Sequence, residues 1–152
     1  MAFLRALTSP ELPALDECDR LLAEGRPAEA LALFRAEVGR DAHNDRAIAG
    51  LARAALALGE RPALLEAEGL LRRRAAEVSA GAGDDRAAGE LLFLLGRVSA
   101  ALSASEDAMA IARAEDAVLA WERVLAADVP TPLRVETALE LAAWLEFMGR
   151  AD

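Results

Sequence analysis

Gly25 and Gly59 stand 34 residues apart, and each closes a segment whose apolar residues recur at helical spacing. Helix-ending glycines at such an interval imply a chain of similar helical hairpins. No single hairpin can bury its own apolar face, so neighbours must stack to share one continuous core. Composition agrees. Hydrophobic residues reach 55%, many of them alanine, the best helix former, while aromatics total 4% and tyrosine is absent. β-branched residues are too scattered for long strands. The 152 residues suit one domain spanning 1–152.

Punctuation predicts about seven helices. Ser9-Pro10 reads as a cap followed by a first-turn proline, opening a helix that runs to Glu24. Pro27 opens a second helix, ending near Gly39, and Asn44 caps a third that stops at Gly59. Pro62 opens a fourth, reaching Val78, and the stretch from Ser79 to Asp84 reads as a flexible loop. The fifth helix holds Leu91 to Leu102. Ser103 and Glu106 have capping-box spacing ahead of a sixth helix from Glu106 to Ala127. Thr131-Pro132 opens the seventh, which reaches Met148. Connections this short make neighbouring helices antiparallel.

Within this frame, Gly25 is followed by Ala30 and, one turn on, Phe34. Ile48, Leu51 and Ala52 precede Gly59. Leu92, Leu95 and Gly96 repeat the large-large-small pattern, Ala117 and Trp121 repeat the small-then-aromatic pair, and Leu141, Ala142 and Gly149 open a fourth unit. A small residue lets two backbones approach and the large one fills the space beside it. These residues resemble the tetratricopeptide repeat family, from about Leu12 to the C-terminus. Departures are local: Glu17 and Cys18 occupy core-like positions in the first helix, and the fourth helix lacks the small-then-aromatic pair. The resemblance implies an all-α fold of antiparallel helix pairs stacked as a short right-handed superhelix. It also implies a protein-binding scaffold or adaptor, not an enzyme.

The residues themselves argue against several chemistries. All 17 basic residues are arginine and the net charge is -9, which repels nucleic acid. Without lysine there is neither a phosphate-binding loop of the Walker type nor a Schiff base. Arg72-Arg73-Arg74 reads as a solvated helix end. One cysteine, Cys18, excludes an internal disulfide, and a Cys18–His43 dyad lacks an orienting third group. Asp16, Glu17 and Asp19 point around a helix, and Glu136 with Glu140 reads as a solvated face, so neither a metal nor a cofactor is expected. No apolar run is long enough to span a membrane and no secretion signal is evident, so a cytoplasmic protein is expected.

The resemblance places Arg46, Ala49, Arg53 and Leu56 on a concave face, followed by Glu90, Phe93, Arg97 and Ala101. Arg53 follows Ala52 as Arg97 follows Gly96. Arg46, Arg53, Phe93 and Arg97 are therefore the candidate partner-binding residues, with the two equivalent arginines able to grip a peptide carboxylate. The bland alternative is that each arginine pairs with a neighbouring Glu or Asp. The seventh helix reads as the first helix of a repeat lacking its second, and it is apolar around much of its circumference. That predicts an exposed patch and a two-fold homodimer through Trp144, Phe147 and Met148. A chain that continues beyond Asp152, of which these residues are a fragment, is the competing expectation.

Overall fold

A computed structural model describes residues 11–82, 85–104 and 108–149. Among them the chain forms seven helices and no strand: α1 Glu11–Ala23, α2 Pro27–Arg40, α3 Asp45–Leu58, α4 Arg61–Ala82, α5 Gly89–Ser103, α6 Ala110–Ala126 and α7 Thr131–Phe147. Local chemistry sets their ends. The Asn44 side chain accepts the Ala47 N–H at 3.1 Å, capping α3 as its sequence position predicts. Gly25 and Gly59 adopt φ of 77° and 74°, a left-handed turn that other residues strain to reach. At the first turn the Arg26 N–H closes onto the Leu21 carbonyl at 2.9 Å, so the chain reverses directly into α2.

Several boundaries differ from the sequence reading. The stretch from Ser79 to Ala82 is helical, not a loop. Ser79 Oγ donates to Asp85 at 2.7 Å, and Arg123 of α6 holds the same carboxylate at 2.8 Å, tying down the end of α4. One glycine in a helix costs only about 1 kcal/mol, which Gly81 does not raise enough to break α4. Consequently Arg72-Arg73-Arg74 lies mid-helix rather than at a helix end. Arg72 bonds Asp116 and Arg74 bonds Asp45, both on neighbouring helices. Ser103 spends its hydroxyl on the Ala100 carbonyl, and α6 begins at Ala110 instead of Glu106. Glu106, the Ser9-Pro10 cap, and Gly83 and Asp84 of the expected loop lie outside the described residues.

Consecutive helices pack together, and α1 also meets α3, α3 meets α5, and α5 meets α7. The first helix α1 touches neither α5 nor α7, so the helices form an open file of stacked pairs and not a closed bundle. Contact between successive first helices (α1, α3, α5, α7) puts them on the inner wall of that file. The second helices, α2, α4 and α6, make no such backbone contact and lie outside.

The crossings are built as the small-then-aromatic pattern predicts. Ala30, Ala52 and Ala117 are completely buried. Phe34, also fully buried, lies against Gly50 of α3, where an added Cβ would overlap the ring. Trp121 lies against Gly96 in the same way and donates its Nε1–H to the Phe93 carbonyl at 3.1 Å. Gly96 is legible in the sequence as the small position. Gly50 is a residue the sequence reading does not single out. Its signal is a glycine kept in mid-helix despite the propensity cost.

Candidate binding groove

The inner wall holds two adjoining hollows. The first, about 480 Å³, lies between α3, α5 and the start of α7; Arg53, Glu90, Phe93, Arg97, Leu133 and Glu136 line it, with Pro130 and Pro132 at one end. The second, about 410 Å³, is lined by Leu56, Ala100, Ala101, Trp121, Trp144 and Phe147. Arg97 contributes to both hollows. A third hollow of about 440 Å³ lies on the outer side against α6, where Arg72–Asp116 and Arg123 line it. The inner hollows are the candidate site, because there side chains of three successive inner helices, α3, α5 and α7, converge.

Arg53, Phe93 and Arg97 come together in the first hollow, as their equivalent positions predict. Phe93 is its buried floor, while the arginines are exposed at its sides. Arg46 is not among the residues lining it. It lies towards α1, donating to Asp16 at 2.8 Å and Asp19 at 2.7 Å. Ala49 is buried between helices, whereas Leu56 and Ala101 line the second hollow. Both groove arginines already have partners. Arg53 donates to Glu90 on the next inner helix, and Arg97 approaches Glu140 of α7 at 3.8 Å. The acids read as scattered around the first helix thus divide: Asp16 and Asp19 bind Arg46, while Glu17 turns outward to bond Arg20.

Cys18 and His43 have separate surroundings. Cys18 is wholly buried in α1, and burial pushes its thiol above the ordinary range, the reverse of an activated nucleophile. His43 is exposed, with Nδ1 2.9 Å from Arg74 and 3.3 Å from Glu77. No group of three metal-binding side chains occurs among the described residues, and no described helix is long and apolar enough to cross a membrane.

The seventh helix divides its aromatic residues between core and surface. Trp144 is half-buried. Its ring meets Trp121 edge-on at 6.5 Å, and its Nε1 donates to the Ala114 carbonyl at 3.2 Å. Phe147 stacks on Trp144 at 5.3 Å yet is 78% exposed, and Met148 is half-buried. The apolar surface of α7 therefore consists of Val135, Leu139 and Phe147 more than of Trp144 and Met148.

Residues 21–73 match a family model described as tetratricopeptide repeat. That segment holds Ala30, Phe34, Leu51, Ala52 and both turns closed by Gly25 and Gly59, the residues that carry the repeat pattern. No curated protein and no solved structure matches the chain. Beyond the matched segment the same construction continues, with Trp121 on Gly96 and α7 laid against α5 and α6. Residues 21–73 are thus similar to the tetratricopeptide repeat, and the described residues as a whole form an all-helical fold consistent with a repeat of that kind.

Proposed function

We propose that this protein is a non-catalytic interaction scaffold that holds a segment of a partner protein in the groove of its inner wall. The observation that carries this reading is the convergence of Arg53, Phe93 and Arg97, from two successive repeat units, on one 480 Å³ hollow. A hollow with an apolar floor and charged sides suits a peptide, since the floor supplies contact area and the sides fix orientation. The tetratricopeptide match over 21–73 supports the same class of function. A cytoplasmic setting belongs to this proposal.

The test is to fill the groove. Ala87 and Ala101 are exposed and line the first and second hollow respectively. The Ala87→Trp, Ala101→Trp double variant keeps its helices and loses the partner that the native chain recovers from its own lysate. Recovery of that partner in undiminished yield sinks the groove reading.

A second reading is carried by the exposure of Val135, Leu139 and Phe147 on α7: self-association as a two-fold dimer through that face. Light scattering that finds only monomer at high micromolar concentration excludes it.

A further inference from the structure

The sequence pattern suggests that Arg53 and Arg97 grip a carboxylate, and their pairing argues for the opposite partner. Every arginine around the first hollow is already held by an acid of this chain: Arg53 by Glu90, Arg97 by Glu140, and Arg86 by Asp128 at 3.4 Å. Of the charged side chains that line this hollow, Glu136, one turn before Glu140 on α7, has no hydrogen bond or ion pair to a described residue. We propose that this hollow takes a basic segment of a partner protein, one arginine or lysine of which docks against Glu136, and this rests on the groove reading above.

The two possible occupants face different costs. An incoming carboxylate has to displace Glu90 or Glu140 from an existing pair, so one charge contact is lost for each one made. It also lies beside the unpaired Glu136, and it approaches a chain of net charge -9. An incoming cation breaks nothing, meets Glu136 directly, and is drawn in by the same net charge. The apolar lining fits this occupant too. Phe93, Leu133 and Pro132 offer a surface for the aliphatic stem of lysine or arginine while its head reaches the carboxylate at the rim. Pairing of the flanking arginines with Glu90 and Glu140 keeps their positive charge from repelling the ligand.

Two nine-residue synthetic peptides test the proposal on the full chain by amide chemical-shift titration: one alternates arginine with alanine and leucine, the other has glutamate in place of each arginine. The basic peptide shifts the amides of Glu90, Phe93, Leu133 and Glu136. Its Kd weakens about fivefold in Glu136→Gln and more than tenfold in Glu136→Arg, the scale of one exposed ion pair and its reversal. Glu122→Gln, an exposed acid on the outer side, leaves it unchanged. Equal weakening by Glu122→Gln overturns the proposal in favour of net charge alone. An acidic peptide that shifts the same amides, and is lost in Arg53→Ala, overturns the partner's chemistry and leaves the groove standing. Shifts confined to residues outside α3, α5 and α7 overturn the groove reading and the proposal with it.

Discussion

Helices α3 and α7 follow one plan and meet different fates. Each is an inner-wall helix, each carries a leucine-alanine step (Leu51-Ala52, Leu141-Ala142), and each ends at a glycine with φ of 74°, Gly59 and Gly149. Around α3 the neighbours α1, α2, α4 and α5 bury Ile48, Leu51, Ala52 and Ala55 to 1% exposure or less. Around α7 only α5 and α6 make contact, and Thr137 is its one buried residue among those described. Ala52 is completely buried while Ala142 is exposed. A repeat plan therefore distributes apolar residues for a full set of neighbours, and the neighbours present decide which of them become core. The same sequence step is a close-packed crossing in one helix and open surface in the other.

The largest expected effect contrasts two aromatics. Trp121 is 1% exposed, packed on Gly96 and hydrogen-bonded to the Phe93 carbonyl, so Trp121→Ala should cost about 3–5 kcal/mol in chemical unfolding. Phe147, at 78% exposure, should lose less than about 1 kcal/mol on the same truncation. Comparable losses at the two sites would mean that α7 is covered as thoroughly as α6.

Next comes the equivalent alanine pair. Ala52→Leu forces a larger side chain into a filled crossing and should destabilise by about 1–3 kcal/mol, as should Ala30→Leu in α2. Ala142→Leu, at the matching position, should change stability by less than about 0.5 kcal/mol. Thermal unfolding of the three variants against the native chain reads this directly, and an unmoved melting point for Ala52→Leu would remove it from the helix crossing.

How far the sequence foretold these contrasts depends on range. Gly25, Asn44 and Gly59 act through their own backbone or a neighbour three residues away, so their turns and cap were legible. Ala30 with Phe34 and Ala117 with Trp121 were legible because a family pattern records a recurrent tertiary contact. What failed was decided by distant partners. The end of α4 is held by Asp85 and Arg123, and the arginine run by Asp116 and Asp45 on other helices. In the groove, the alignment of Arg53 and Arg97 was legible from their equivalent positions. Their partners Glu90 and Glu140 were not, since no local pattern says which acid of the next helix a guanidinium will reach.

A smaller effect tests the helix that covers α3. Asp85, itself tied to Ser79, joins α4 to α6. The Arg123 guanidinium, assisted by the Ser79 hydroxyl, holds its carboxyl below the usual range. A carboxyl whose pKa is lower folded than unfolded stabilises the fold above its unfolded pKa, about 4, and loses that contribution as pH falls through the folded value. Asp85→Asn should therefore cost about 1 kcal/mol at pH 7. The gap from the native chain should narrow steadily as the pH falls below about 4. A gap that stays constant down to pH 2 would mean that Asp85 acts by packing and not by charge.

The smallest expected change in stability is also the one that decides what the open side of α7 does. Leu139 is 68% exposed and Phe147 78%, so both side chains lie on the open surface of the helix. Removing exposed apolar groups forfeits little folding free energy, so the Leu139→Ser, Phe147→Ser double variant should unfold within about 0.5 kcal/mol of the native chain. A dimer held by this face forfeits much more, because both copies lose both residues and a two-fold interface counts each change twice. Trp144 must be left intact in this comparison. Its indole is half-buried on Trp121 and bonded to the Ala114 carbonyl, so a polar replacement there would confuse loss of folding with loss of association. If native chain scatters light as a dimer and the double variant as a folded monomer, the open face of α7 is the interface. If the native chain is a dimer and the double variant remains one, the interface lies elsewhere and the contrast between α3 and α7 is one of coverage alone.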